Sequence, residues 1–282
     1  MDKKTNETKD VYSQAAAEDA ADLETLIFSV QDLVFNLSLR MLGTFADAED
    51  AAQEILLKVM THFSSFRGES AFSTWVFRIA VNYLKDYKKH MFAQHPLSFE
   101  YYGSDIENGR APDTPDLTQN VEKSILAEEL KLSCTNVMLQ CLDTQSRCIF
   151  ILGTMFKLDS RIAGEVLGMS AEAYRQRLSR IRKKMSGFLE EYCGEYGSGK
   201  CRCEKRLNYA IQSHRLQPQH LEYTAACEIP AQTIAEVKNA MEDIDDLSKQ
   251  FSFCRTYQSP ESIRQFIQNF LNSESLSAVQ NP

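Results

Sequence analysis

The chain has 282 residues, 43% apolar and 25% charged, with a formal net charge of −8. This suits two or three ordinary globular domains and excludes fibrous, low-complexity and small disulfide-scaffold classes. No apolar run approaches the roughly 18 residues of a membrane span, and the opening MDKKTNETKD is polar with no apolar core behind it; neither a membrane partner nor a signal peptide is expected, and the cytoplasm is the expected location.

The acidic total hides an uneven distribution. Arg161 to Lys184 holds seven Lys/Arg against two Glu, whereas Ser98 to Glu129 holds eight Asp/Glu against two Lys/Arg. Basic blocks separated by an acidic tether suit a chain that touches DNA at two places.

No strand-like alternation is sustained, so an all-α chain is predicted. Leu23, Leu26, Ile27, Val30, Val34, Leu37 and Met41 mark one buried face of a helix over Leu23–Leu42, ended by Gly43-Thr44. A second helix spans Asp47 to Phe63. Ala51, Ile55, Val59 and Phe63 bury, and Asp47, Glu49, Asp50, Gln53 and Glu54 open it with negative charge near its start.

The stretch SFRGESAFSTWVFRIAVNYLKDYKK, Ser65 to Lys89, carries the strongest signal. Arg78, Asn82, Lys85 and Lys89 follow steps of four, three and four and share one helix side. Phe72, Trp75, Val76, Ile79, Ala80 and Tyr83 fall on the other side and can bury. The loop Arg67-Gly68-Glu69-Ser70 precedes them. Cations hold phosphates, an amide reads a base edge, and a short loop can wall in an unstacked base, so this pattern suits a single-strand reader. A solvated basic surface helix is the alternative.

Residues 91–120 carry His95-Pro96, Gly103, Gly109, Pro112 and Pro115 among scattered acids, a linker composition. Helices resume over Val121–Leu142 and Arg147–Phe156. In DSRIAGEVLGMSAEAYRQRLSRIRKKM, Ile162, Val166 and Leu167 face inward from a short helix, Gly168 turns the chain and Ser170 caps the next helix. There Tyr174, Leu178, Ile181 and Met185 pack inward. Gln176, Ser179, Arg180 and Lys183 lie opposite, flanked by Arg175, Arg177, Arg182 and Lys184. This is a helix-turn-helix with a basic recognition helix; a basic helix pair without a DNA role is the alternative.

About 90 residues follow. Cys193, Cys201 and Cys203 lie in one tight loop with Gly194, Gly197 and Gly199, and could hold a zinc-like ion, with His214, His220 or Cys227 as a fourth ligand. The spacing is not that of a standard finger, and free thiols or a redox pair are the alternatives. Cys134, Cys141 and Cys148 read as packing residues. Ile234–Phe251 and a helix begun by Ser259-Pro260-Glu261, with Ile263, Phe266, Ile267 and Phe270 apolar, are amphipathic and need a partner surface.

RGESAFSTWVFRIAVN resembles the promoter-melting segment of bacterial RNA polymerase sigma factors of the extracytoplasmic-function group, within the sigma-70 family. The helix-turn-helix resembles the promoter-recognition domain of that group, and DAEDAAQEILLKV, Asp47–Val59, its helix that grips the polymerase clamp. The resemblance covers about Leu23 to Leu189. It implies sigma domain two over 20–91, a linker over 92–120, sigma domain four over 121–190 and a Cys-bearing helical extension over 191–282. It implies core polymerase as partner of Asp47, Asp50, Gln53 and Glu54. It implies promoter DNA as partner of Arg67, Ser70, Arg78, Asn82, Lys85, Lys89, Arg175, Gln176, Arg177, Ser179, Arg180, Arg182 and Lys183. The extension would act as a self-regulating tail or answer to an anti-sigma protein. No cofactor is required, although a few sigma factors with cysteine-rich extensions respond to metals. Departures are Ala51-Ala52 for a larger apolar residue, Ile55-Leu56 for a frequent aromatic, Leu142-Asp143 for Leu-Pro, and Arg161 for an acid. No catalytic constellation is visible. A helix-turn-helix regulator without the sigma role would leave the Trp75 segment unexplained, and a zinc enzyme would lack a general base.

Overall fold

The computed structural model describes residues 23–87, 91–109, 116–226 and 257–273. Lys89, Cys227, Cys254 and the predicted Ile234–Phe251 helix lie outside them. The described elements are α1 Leu23–Leu42, α2 Phe45–Thr61, α3 Phe72–Asp86, α4 Met91–Gln94, α5 Phe99–Asn108, α6 Lys123–Gln140, α7 Thr144–Phe150, α8 Ser160–Leu167, α9 Ala171–Tyr192, α10 Leu207–Gln212, α11 Glu222–Ala225 and α12 Glu261–Leu271. Cys193 and Cys201 form an isolated β bridge.

Helix α1 is apolar nearly all round and forms the centre of the molecule. Ile27, Val34, Phe35, Leu37 and Leu39 are fully buried, and α2, α3, α6 and α12 pack on it. By length and composition α1 is apolar enough to cross a membrane, against the sequence expectation. Its burial accounts for this, since 78% of that stretch lies inside the protein. Gly43, at φ +91°, turns the chain into α2. Thr44 then caps α2 by accepting from Asp47 N at 3.2 Å.

The two departures around the second half are local caps. Asp143 Oδ1 accepts from Ser146 N at 2.9 Å and starts α7. Asp159 Oδ1 accepts from Arg161 N at 2.9 Å and starts α8, leaving the Arg161 side chain exposed. Ser170 caps α9 as predicted, accepting from Ala173 N at 3.2 Å. Gly168 takes the left-handed turn between α8 and α9 at φ +68°.

One prediction is corrected. The linker is partly helical: Ser98 caps α5 by accepting from Tyr101 N at 3.1 Å. Phe99 and Tyr102 of α5 pack on Phe188 of α9, at 5.1 and 5.8 Å between ring centroids. Scattered Gly and acids in the sequence hid an amphipathic ten-residue helix whose partner lies some 85 positions ahead. The apolar face of the last described helix, for which a partner surface was expected, finds it on the core. Tyr257, Ile263 and Ile267 belong to the same hydrophobic core as α1, α2, α3 and α9.

Arg147 is a central tie between the two halves. Its buried guanidinium donates to Leu139 O, Gln140 O and Leu142 O at the end of α6 and to Met41 O at the end of α1. These are orphan carbonyls of helix C-termini, which favour a cation.

Candidate nucleic-acid and polymerase interface

Trp75, Ile79, Tyr83 and Tyr87 succeed one another every four residues along α3 and its end. With Asn82, Asp86, Lys58, His62 and Ser65 they line a groove of about 710 Å³. The groove has a rigid wall. Trp75 stacks on Phe72 at 5.7 Å and tilts against Phe66 at 5.5 Å; Tyr83 lies 5.7 Å from Tyr87, and Lys58 Nζ sits 5.8 Å over the Tyr83 ring. Burial raises both tyrosine hydroxyls, and nearby Glu54 and Asp47 add to the effect on Tyr83 and Tyr87 respectively. Both phenols stay neutral donors at ordinary pH.

Sequence spacing placed Trp75, Ile79 and Tyr83 on the buried side of α3. The structure instead leaves them half-buried beside exposed Asn82. The available signal was the four-residue aromatic step, which continues to Tyr87 after Val76 and Ala80 have turned inward.

The predicted polar stripe of α3 divides. Asn82 faces the groove. Arg78 is turned toward the second half and pairs with Glu165 of α8. Lys85 is half-buried on that same side, near enough to Cys148 of α7 to act on its thiol by charge. Arg67 is exposed, and Ser70 makes only a long 3.5 Å contact to Ala71 O. Gly68, at φ +70°, gives their loop its left-handed bend.

On α9, Arg175, Gln176, Arg177, Ser179, Arg180 and Lys183 are exposed along one face. Arg175 also donates to Ser160 at 3.0 Å and Gln176 to Glu172 at 3.3 Å. Arg182 departs from the expectation. It donates to Thr154 Oγ1 at 3.0 Å and to Gly153 O at 3.1 Å, within the π-helical turn Ile151–Met155. A widened turn frees carbonyls from the helical ladder, and Arg182 satisfies one of them. It is a packing residue in this arrangement.

On α2, Asp50 and Glu54 are exposed and Gln53 half-buried. Asp47 is committed to the helix start, since Thr44 donates its hydroxyl to Asp47 Oδ2 at 2.6 Å. The exposed carboxylates lie next to the tyrosine end of the groove.

The three loop cysteines fall near one another. Cys193 and Cys201 are paired across the bridge, with Gly194 N donating to Cys201 O at 2.9 Å and Cys201 N to Tyr192 O at 3.2 Å. Cys201 and Cys203 line a cavity of about 540 Å³ with Cys134 of α6, His214 and His220. Burial pushes the Cys134 thiol up to about 12, the Tyr102 hydroxyl donating to it at 3.0 Å works the other way, and charge on Cys201 and Cys193 adds to the rise. Among the described residues no group of three His, Cys, Asp or Glu is assembled for metal ligation.

The geometry defines a two-part helical protein, with an aromatic groove beside an exposed amide on one part and a helix-turn-helix with a basic outer face on the other. The Sigma-70 region 2 family matches residues 26–90. The RNA polymerase sigma factor CnrH of Cupriavidus metallidurans is 30% identical over 146 residues, covering 51% of this chain and 74% of that protein. The ECF RNA polymerase sigma factor SigW of Bacillus subtilis is 25% identical over 169 residues, covering 57% and 85%. The solved structure of CnrH in complex with the cytosolic domain of CnrY is similar with a TM-score of 0.43 at 22% identity, over 64% of this chain and 94% of that one. The chain belongs to the extracytoplasmic-function sigma factors of the sigma-70 family, proteins of promoter-directed transcription initiation.

Proposed function

We propose that this sigma factor acts in the cytoplasm and by binding rather than by turnover. The exposed face Asp50–Gln53–Glu54 of α2 engages core polymerase. Arg175, Gln176, Arg177, Ser179, Arg180 and Lys183 enter the major groove of the upstream promoter element. The Trp75–Tyr83–Tyr87 groove, with Asn82 at its rim and Arg67 and Ser70 in the loop below, receives unstacked bases of the melted strand. The observation that carries this reading is the groove itself. Aromatic faces stack bases of any identity, and a side-chain amide at the rim can donate and accept to one base edge. Transcription start mapping with purified core polymerase is the test. A defined start that requires this chain is expected; sequence-specific duplex binding that is complete without polymerase, and no start, would favour the helix-turn-helix regulator.

A modulating role for the thiol cavity also belongs to this reading. Cys193, Cys201 and Cys203 remain the candidate ligands for a zinc-like ion, with Cys134, His214 and His220 on the same cavity wall. Among the described residues they are not gathered into a ligand set, so binding requires the loop to rearrange. The support is chemical: cysteine and histidine donors on one cavity suit a soft divalent cation, which must displace the thiol protons that burial favours.

A further inference from the structure

The end of the chain returns over more than two hundred residues to α1. Asn36, fully buried, donates its amide to Tyr257 O and accepts from Tyr257 N, both at 2.8 Å. Ser259 N donates to Asp32 Oδ1 at 2.9 Å, and Gln258 N to Ala226 O at 2.8 Å. The Tyr257 ring packs among Phe45 and Tyr223, 6.0 and 5.9 Å away. Tyr223 reaches both halves. Its hydroxyl donates to Gly43 O at 3.3 Å, while its backbone N–H donates to Glu129 Oε1 of α6 at 3.0 Å. Beyond this strap, α12 lies on α1 and α2. Ile263 and Ile267 are fully buried there. Ser262 donates to Glu49 of α2 at 2.5 Å, and the Arg264 guanidinium lies 5.9 Å over the Phe28 ring.

These contacts dock the strap and α12 on α1 and α2. Glu49 is the neighbour of Asp50, so α12 flanks the α2 surface assigned above to polymerase. On the opposite side α3 packs against α8, where Arg78 is paired with Glu165 and Phe77 meets Phe156 edge-on at 5.4 Å. Arg78 therefore faces a carboxylate where promoter binding needs it to face a phosphate. The two DNA-facing parts are bound to each other instead of being free to span separated promoter elements.

The geometry points to the Tyr257 strap and α12 as a built-in inhibitor of this sigma factor: a segment of its own chain that crowds the polymerase face of α2 until it is displaced. This rests on the sigma reading above. An apolar docked helix with one edge polar contact can leave without disturbing the rest, because α1, α2 and α3 keep their mutual packing. A regulator needs such a two-state element, biased by differential contacts in the two states.

The test uses the full chain, core polymerase and a promoter found by start mapping. Ile263→Asp/Ile267→Asp should undock α12 and raise polymerase affinity and initiation roughly tenfold, within the usual range of allosteric coupling. A peptide of residues 257–273 added in trans should reverse the gain. Ser262→Asp, facing Glu49, gives a milder release that spares the core, and Glu49→Lys in that background should restore docking. Hydrogen exchange of α12 reports release in each variant. If α12 exchanges freely and polymerase affinity and initiation stay at or below the wild-type level, the inhibitor is overturned while the sigma reading stands. If neither wild type nor released variants bind polymerase, the sigma reading itself fails and the inhibitor with it.

Discussion

Asn36 and Tyr257 exchange two hydrogen bonds across 221 residues of sequence, the side-chain amide of one pairing with both backbone groups of the other. The amide serves as the edge of a strand that is not there. It fixes the strap in one register, because both backbone groups of buried Tyr257 find their partner in this one side chain.

Asn36→Ala should cost about 2 kcal/mol, since a buried N–H and C=O each lose a partner at roughly 1–3 kcal/mol and detachment of the strap caps the loss. Chemical denaturation measures the total. Hydrogen exchange should show the loss concentrated at residues 257–271, and a uniform loss over the whole chain would contradict a local anchor.

Arg180 and Arg182 sit two positions apart on α9 and should behave oppositely. Arg180→Glu is expected to abolish promoter-specific initiation without changing polymerase affinity, because a good base contact is worth roughly 1–3 kcal/mol and the reversed charge repels phosphate. Arg182→Ala is expected to lower the melting temperature by uncapping Gly153 O and Thr154. Gel shifts with holoenzyme, alongside thermal melts, separate the two.

Asn82→Ala should weaken open-complex formation more than closed-complex binding, and Trp75→Ala should do so further. Removing a stacking platform costs roughly 1–3 kcal/mol per base. Permanganate reactivity of the melted bases is the readout, and equal reactivity in mutant and wild type would count against the groove.

Asp105 of α5 joins the former linker to the extension. It accepts from Arg206 at 3.2 Å, Arg215 at 2.9 Å and Tyr209 at 2.6 Å. Burial works to raise its carboxyl, but the hydrogen bonds from Arg215 and Tyr209 and the two guanidinium charges outweigh it, so it lies below its usual 3.8. A lowered carboxylate stabilises the fold above its unfolded value, and that share is lost as pH falls through the lower folded one. Stability from this site should therefore be flat from pH 7 to pH 5 and decline below about pH 4. Asp105→Asn should remove the acid-side decline and cost about 3 kcal/mol at pH 7, as breaking a largely buried ion site does.

Cys201→Ser/Cys203→Ser should lose about one zinc-like ion per chain, on the reading that two of four tetrahedral ligands are gone. Elemental analysis of protein purified with added zinc checks this. Equal metal content in mutant and wild type would reduce the loop to a turn that packs against α6.

Local chemistry was legible from the residues in order. Apolar spacing placed α1, α2, α3 and α9, and Ser170 announced its cap because it needs only the N–H three residues on. The outward face of α9 could be read because Tyr174, Ile181 and Met185 define its inward one. The apolar stripe of α12 was equally plain, although its partner was not. What the tertiary structure decided involves partners that no local pattern encodes. Arg182 turned inward because a π-helical turn 29 residues earlier frees a carbonyl for it. Arg78 left the polar stripe because Glu165 stands 87 positions away. Trp75, Ile79 and Tyr83 became a groove rather than core because they border Lys58 of α2 and stay half-buried beside exposed Asn82. Periodicity reports which side chains share a face; which faces meet is set by long-range burial and by the requirement that each buried polar group find a partner, and those are properties of the assembled fold.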